Sequence, residues 1–349
     1  MQGSTVKCVV WDLDNTIWDG ILMEDPVVRL KPRVRDVLDT LDRRGILHSI
    51  ASRNDRDLAL AKLREFGIAD YFLYPEIRWD AKSASVTRIQ KNLNVGYDTI
   101  LFLDDQPFER DEVASVHGEM WCLDSCRYLD ILEHPRLQPK YVTDESAMRR
   151  RMYIEDMARR EEEQAYAGPK ESFLRQLNMV FDIAEAQESD LVRAEELTYR
   201  TNQLNATGER YTVESLDAMR CDPRYKILVC ELKDKYGSHG KIGLALIEQS
   251  PHTWNLKLML FSCRVLSTGV GAVLLTYLRN AARNHGIRLL ADFRDTGYNR
   301  MMRLSYMVAG FAEKEQRDDG LVVLENDLKD VPHLPDFLEI RSNVKWSAL

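Results

Sequence analysis

The chain is 349 residues long, beyond the roughly 250 to 300 residues at which a single core stops growing, so two domains are expected. Its composition, 44% hydrophobic and 30% charged, is that of an ordinary globular protein rather than a low-complexity or fibrous one. A net charge of -8 argues against nucleic acid and against anionic membrane surfaces, and no apolar run approaches the ~20 residues that span a bilayer.

The N-terminal stretch "MQGSTVKCVV" lacks a signal-peptide apolar region. Cysteines 8, 122, 126, 221, 230 and 263 form neither a CxxC pair nor a small disulfide framework. Reduced thiols in a cytoplasmic protein are expected.

Strand and helix signals alternate from the start. "VKCVVWD" is an apolar run of the kind buried in a parallel sheet. Pro32 is expected to open a helix in its first turn, with Val34, Val37, Leu38 and Leu41 on one face and Gly45 ending it. "ILHSIAS" reads as the next strand. "NDRDLALAKLREFG" reads as the next helix, capped by Asn54 or Asp55 and stopped by Gly67. A helix over "SASVTRIQKNLN" and a strand "TILFLDD" complete the repeat. This alternation predicts an α/β fold, a Rossmann-like doubly wound parallel sheet, over residues 1–145. Residues 146–170 are dense in both signs of charge and end at Gly168-Pro169, the signature of a helical linker. Residues 171–330 carry strand-like runs ("YKILVCELKD", "KIGLALIEQ", "TWNLKLMLFSCRV", "IRLLADF", "DGLVVLEN"), the apolar helix "VGAVLLTYLRNAARNHG" and a late helix from near Asn299. They predict a second, α+β domain, and residues 331–349 are left as a tail.

Open parallel sheets bind ligands beyond the carboxyl ends of their strands. Asp12 and Asp14 end the first strand, Ser52, Arg53 and Asn54 the second, and Asp104 and Asp105 the third, with Lys82 ahead of the helix between the last two. Four carboxylates on one rim repel, and Mg²⁺ relieves that repulsion while bringing in a substrate phosphate. Asp12, Asp14, Asp104 and Asp105 are therefore the expected metal ligands. Lys82 and the Ser52 hydroxyl can hold phosphate oxygens, with Arg53 and Asn54 as further substrate-binding groups. Asp12 can attack phosphorus, and Asp14 can pass a proton to the leaving oxygen and take one from water. Any one of these residues could instead be a turn or cap residue, but four separate strand and helix ends supplying complementary groups favour a site.

The motifs "DLDNT", "ASRND", Lys82 and "LFLDD" resemble those of the haloacid-dehalogenase superfamily. The segment from Gly20 to Pro32 is too short for a large cap, so a capless site open to a bulky partner is expected. The resemblance widens with "KCVVWDLDNTIWDG", "FLDDQPFER", "RAEELTYRTNQLNAT", "DKYGSHG", "FSCRVLSTGVG" and "DTGYN", which together resemble the FkbH-like proteins of polyketide pathways. That family joins a dehalogenase-type domain to an acetyltransferase-like (GNAT-like) domain. The resemblance implies a Mg²⁺-dependent glyceryl transferase and phosphatase: it takes glyceryl from D-1,3-bisphosphoglycerate, holds it on a cysteine, and passes it to the phosphopantetheine thiol of an acyl carrier protein.

Cys263, at a strand end beside Arg264 and ahead of a helix N-terminus, is the expected thiol, since both neighbours favour thiolate. A small buried hydrophobe is the alternative. Cys8 lies four residues back from Asp12, ~13 Å at strand rise, and is expected in the core. Cys122, Cys126 and His134 lack a fourth metal ligand, so packing is expected of them, and Cys221 and Cys230 are expected to be structural. His239 could serve Cys263 as a base or be an exposed turn residue. Asn202 and Gln203 could bind glyceryl hydroxyls or pantetheine amides or cap a turn, and Thr296 and Asn299 pose the same choice. Gly269 and Gly271 fit a phosphate-cradling turn at a helix start, but Leu266 occupies its basic position, which favours a neutral pantetheine arm over coenzyme A. Asp19 and Ser238 also depart from the family pattern. Two rival readings are a phosphatase fused to a coenzyme A-dependent acyltransferase, and a C-terminal half that only docks a carrier protein.

Overall fold

The computed structural model describes residues 4–346. The chain divides into two compact units, Met1–Ile154 and Glu155–Leu349.

In the first unit, β1 (Cys8–Trp11) is followed by a two-stranded hairpin, β2 (Trp18–Asp19) with β3 (Arg29–Leu30), then α1 (Val34–Arg43), β4 (Leu47–Ser52) and α2 (Arg56–Glu65). After these come β5 (Glu76–Ile77), α3 (Lys82–Leu93), β6 (Ile100–Asp104), α4 (Pro107–Val116) and β7 (Trp121–Asp124). The strands form one parallel sheet in the order β5-β4-β1-β6-β7. Strand order reverses at β1, which has β4 on one side and β6 on the other. The carboxyl ends of β1 and β6 are thus at the switch point where such sheets bind ligands. The segment after Gly20 forms only the β2–β3 hairpin, in keeping with a capless sheet.

Local chemistry accounts for the element ends. Asp55, not Asn54, caps α2, its carboxylate accepting from the Leu58 N–H at 2.9 Å. Helix α1 starts two residues later than expected: Arg33 stands before it in the left-handed region at φ +58°, which leaves Pro32 outside the helix. Gly45, at φ +70°, turns the chain after α1 where an added Cβ would lie 2.8 Å from the Ser146 carbonyl.

The linker region contributes the short α5 (Asp144–Ala147) and α6 (Arg149–Ala165). Arg149 donates to the Gly45 carbonyl at 2.7 Å, and Arg150 binds the Asp42 carboxylate at 3.0 and 3.1 Å, tying the start of α6 to the end of α1.

The second unit contains α7 (Lys170–Gln176), β8 (Met179–Glu185), α8 (Leu191–Arg200), α9 (Val213–Cys221), β9 (Tyr225–Asp234) and β10 (Gly237–Ser250). It continues with β11 (Thr253–Phe261), α10 (Val270–Asn284), β12 (Arg288–Arg294), α11 (Arg300–Val308), β13 (Phe311–Gln316), β14 (Leu321–Asn326) and β15 (Leu338–Ser342). Its eight-stranded sheet runs β13-β14-β12-β11-β10-β9-β8-β15. Only the β11–β12 and β8–β15 pairs are parallel. One face packs on Phe173, Leu274, Leu278, Met302 and Tyr306, and the other on Leu191, Leu197, Tyr211 and Leu216. Residues 331–349, expected as a tail, therefore supply an edge strand. A Rossmann-like parallel sheet followed by an α+β unit is the fold class that the sequence implies.

A buried histidine ties β1 to β4. Trp11 Nε1 donates to His48 Nδ1 at 3.1 Å, which leaves the ring proton on Nε2, 3.2 Å from the Leu38 carbonyl. Protonating Nδ1 would break the tryptophan bond. Burial lowers the His48 pKa to about 3. The unfolded chain therefore binds one more proton than the folded chain between about pH 3 and 6.5, and stability falls as pH drops through that window. At pH 5 this one group should cost about 2 kcal/mol relative to pH 7.5. Urea unfolding at the two pH values should show His48→Gln losing that much of the pH dependence; identical acid limbs in both proteins would contradict the assignment.

Candidate active site

The site begins with the register of β1 on β6. Trp11 is opposite Leu103 and the Asp12 N–H donates to the Leu103 carbonyl at 2.9 Å, so Asp12 and Asp104 leave adjacent strands side by side. Lys82 is the first residue of α3, where the helix dipole disfavours a cation. Two carboxylates overcome that: its Nζ is 2.9 Å from Asp12 Oδ1 and 2.5 Å from Asp104 Oδ2, with all three side chains buried. Helix α3 has no local side-chain cap. Instead Glu112 of α4 accepts from the Ser83 N–H at 3.0 Å and from its hydroxyl, fixing the helix end that carries Lys82.

One ammonium does not balance the negative charge here. An oxygen from each of Asp12, Asp104 and Asp105 lies within 4.8 Å of the others. Burial and the Asp12 charge push Asp104 up to about 7 against the pull of Lys82, and the same two causes raise Asp105. Burial works against the Lys82 charge, but Asp12 and Asp104 outweigh it and hold its pKa above the usual lysine value. Asp105 Oδ1 is buried without a hydrogen-bond partner. All-oxygen donors, surplus negative charge and an orphaned carboxylate oxygen suit a hard divalent cation such as Mg²⁺.

Asp14 is a correction to the expected ligand set, for it is not one of these three. Its Oδ1 accepts from Trp18 Nε1 at 2.8 Å and from the Leu22 N–H at 3.1 Å, and its Oδ2 from Asn54 Nδ2 at 2.9 Å. Burial raises its pKa in spite of these bonds, which suits a carboxyl that carries and releases a proton. Asn54, expected to bind substrate, is buried and holds Asp14 in place. Ser52 is buried at the end of β4. Arg53 is committed to Glu109 at 2.9 Å and to the Asp80 carbonyl at 3.1 Å, bridging the first turn of α4 and the β5–α3 loop. Glu109 and Glu112 escaped the sequence reading. The usable signal was a helix starting at Ala81-Lys82 without a capping residue of its own.

In the second unit Cys263 opens the 3₁₀ turn Cys263–Thr268 and is half-buried. Its neighbour Arg264 donates to Ser262 Oγ at 3.3 Å and to the His239 carbonyl at 3.4 Å. His239 is not a turn residue: β10 starts at Gly237, and the ring is buried with Nε2 3.1 Å from Asp234 Oδ2. Asp234 also binds Arg159 at 2.7 Å. Burial opposes its charge, but His239 and Arg159 hold its pKa below the usual carboxylate value, so the carboxylate accepts and the ring proton sits on Nε2. Nδ1 is then the basic nitrogen.

Strands β11 and β12 pair from Thr253–Leu256 against Arg288–Ala291 and then part. The chain itself enters the gap. Phe261 N–H donates to the Leu204 carbonyl and Ala206 N–H to the Met259 carbonyl, both at 2.9 Å, and Arg294 N–H to the Ala206 carbonyl at 3.0 Å. Asn299 fastens this insert. Its Nδ2 donates to the Asn205 and Arg294 carbonyls at 2.9 Å, and its Oδ1 accepts from the Thr296 N–H at 3.1 Å. Asn299 is fully buried and fully bonded, so its expected role in binding substrate is replaced by a structural one. Thr296 Oγ1 accepts from the Tyr298 N–H at 3.4 Å. Asn202 and Gln203 are exposed. Gly269 takes φ +76° between the 3₁₀ turn and α10, and Gly271 lies 3.6 Å (from an added Cβ) above the Phe261 ring.

The remaining cysteines follow the packing expectation in part. Cys8 and Cys230 are buried, and burial raises both thiols. Cys221 and Cys126 are exposed and Cys122 is half-buried. His134 spends Nδ1 accepting from the Arg136 N–H at 3.2 Å, a local structural contact.

The fold and the geometry of the first unit together define a carboxylate-and-lysine site suited to a divalent cation, at the switch point of a Rossmann-like sheet. No family model matches the chain, nor does any curated protein. Among solved structures it is similar to the N-terminal part of BF1531 from Bacteroides fragilis, containing a phosphatase domain complexed with Mg: 27% identity over 41% of this chain and 42% of that one, TM-score 0.36. The chain thus spans less than half of that protein's length. It is also similar to the ribosomal-protein-S18-alanine N-acetyltransferase from Escherichia coli (15% identity, 48% of this chain, 99% of that one, TM-score 0.34). A third is Ard1 from Thermoplasma volcanium (14% identity, 42% and 96%, TM-score 0.33). Among the described residues no helix is long and apolar enough to cross a membrane.

The acidic cluster makes a direct test available. Mg²⁺ at a hundredfold excess over its dissociation constant should stabilise the full chain by about 2.7 kcal/mol in thermal melts. Asp105→Asn should remove most of that gain while leaving the metal-free melting temperature unchanged or higher, because one repelling charge is gone. A Mg²⁺ response equal to the wild type would show that Asp105 is no ligand.

Proposed function

We propose that the chain is a Mg²⁺-dependent phosphatase and glyceryl transferase. It would take the three-carbon unit of D-1,3-bisphosphoglycerate and pass glyceryl through a cysteine thioester to the phosphopantetheine thiol of an acyl carrier protein. The observation that carries the phosphatase half is the cluster of buried Asp12, Asp104 and Lys82 with half-buried Asp105 at the switch point of the parallel sheet. The transfer half draws on the FkbH-like resemblance together with the Cys263 and His239 surroundings.

Asp12, Asp104 and Asp105 would hold the metal, which when bound neutralises phosphate charge. The Asp12 carboxylate attacks phosphorus of the phosphate ester. The P–O bond to the C3 oxygen of the glyceryl unit breaks, and Asp14 gives that oxygen its proton. Water then attacks the phosphoaspartate, losing a proton to Asp14, and inorganic phosphate leaves with Asp12 restored. Lys82 holds Asp12 in place. At the acyl phosphate, the Cys263 thiolate attacks the carbonyl carbon; the C–S bond forms, the C–O bond to phosphate breaks, and phosphate departs with the electron pair. His239 Nδ1, oriented through Asp234, is the base proposed to take the thiol proton. Exchange with the carrier thiol moves glyceryl on and returns Cys263.

The coenzyme A-dependent reading has less support. Leu266 stands where a basic residue would be needed and offers no charge to the pyrophosphate that distinguishes coenzyme A from a carrier-bound pantetheine arm.

Intact-mass analysis and phosphate release, measured with 1,3-bisphosphoglycerate generated in situ, separate the two halves. Asp12→Asn should lower phosphate release from the ester by at least a thousandfold, the scale of a lost nucleophile. Cys263→Ala should keep that release yet leave the carrier protein without added glyceryl. Carrier loading by Cys263→Ala would remove the cysteine from the mechanism, and unchanged release by Asp12→Asn would remove the nucleophile.

A further inference from the structure

Helix α11 is apolar on two sides. Met302 and Tyr306 face the core, as a surface helix requires. Yet Met301, Leu304, Met307 and Val308, with Tyr298 just ahead of the helix, are exposed, Tyr298 at 75%, Met307 at 59% and Val308 at 88%. Five of the nineteen exposed large hydrophobic side chains among the described residues thus fall within residues 298–308, a concentration that scattered surface apolar residues do not produce. At about 100° per residue, Met307, Leu304, Val308 and Met301 cover one continuous stripe about 120° wide, and Arg300 falls inside it.

The charge on this helix has one sign. Residues 299–309 include Arg300 and Arg303 and no acid. Arg303 reaches Glu313 at 2.6 Å in an exposed pair, whereas Arg300 makes no ion pair with a described residue. A second copy pairing through the same face about a twofold axis would bring its Arg300 toward the other copy's Arg300 within a stripe only ~14 Å long, like charges that oppose association. An acidic amphipathic helix meets both features: apolar residues for the stripe, where two methionines adapt to its shape, and carboxylates for the arginines.

We infer that the outer face of α11 is the docking surface for the acyl carrier protein, bound through an acidic amphipathic helix of the carrier. This rests on the proposed transfer function for its choice of partner. The stripe supplies the affinity and Arg300 the steering and orientation, so association should weaken with salt.

The test is interferometry of the full-length protein against a phosphopantetheinylated acyl carrier protein, with intact-mass detection of loading and phosphate release followed in parallel. Met301→Glu combined with Met307→Glu should weaken carrier binding at least tenfold. Arg300→Glu should weaken it severalfold and flatten its salt dependence. Release of the ester phosphate, housed in the first unit, should be unchanged in both, and a wild-type circular dichroism spectrum and melting curve control for folding of the second unit. Wild-type binding that survives both variants overturns the docking face, as does a wild-type chain that binds no carrier. So does sedimentation showing a wild-type dimer that Met301→Glu and Met307→Glu split, since the face would then join copies of the chain. Carrier binding lost in the variants, with no glyceryl ever transferred by the wild type, keeps the docking face and removes the transfer function.

Discussion

The shared ammonium of Lys82 is the constraint from which the first unit follows. Held between Asp12 and Asp104 in a buried setting, it requires β1 and β6 to be neighbours in the observed register and α3 to end at the sheet rim. A cation at a helix N-terminus is unfavourable alone, and two carboxylates side by side are unfavourable alone; each offsets the other. Removing one partner from such a buried group costs about 3 to 5 kcal/mol because the remaining charge is stranded. Asp105 adds a carboxylate that Lys82 cannot satisfy, and that residual demand marks the cluster as a cation site rather than a closed ion pair.

The same test of unmet demand separates site residues from structural ones elsewhere. Asn299 looks like a ligand amide in the sequence, yet its side chain, like that of Asn205, is spent on backbone groups in and around the insert between β11 and β12. Asn54 is spent on Asp14. Asp105 Oδ1 has no such outlet.

Much of this was legible in the sequence where the signal is local. Apolar runs gave β1, β4 and β6, the strand-end acids gave the site, and the choice between Asn54 and Asp55 as cap was narrowed to two adjacent residues. What was hidden depends on distant partners. β15 becomes a strand only by pairing with β8, some 160 residues earlier, and its own five residues carry no apolar alternation strong enough to announce it. Glu112 caps a helix that starts thirty residues before it. His239 reads as a loop residue beside three glycines and a serine, but register shifts let β10 begin at Gly237 and bury the ring.

The two chemistries proposed for this chain ask for opposite electrostatics, which gives a reason for housing them on separate sheets. A phosphate site built on surplus carboxylates raises the pKa of any thiol near it. Cys122, on β7 beside the cluster, is pushed up to about 11, mainly by burial and then by Asp104. Such a thiol is protonated at neutral pH and a poor nucleophile. Cys8 is closer in sequence to Asp12, and burial alone raises it further. Cys263 instead follows a strand end in the second unit, with Arg264 next to it and α10 starting seven residues on. In the proposed division of labour, capture of an activated acyl group by sulfur belongs to the second unit because the carboxylates of the first oppose a thiolate.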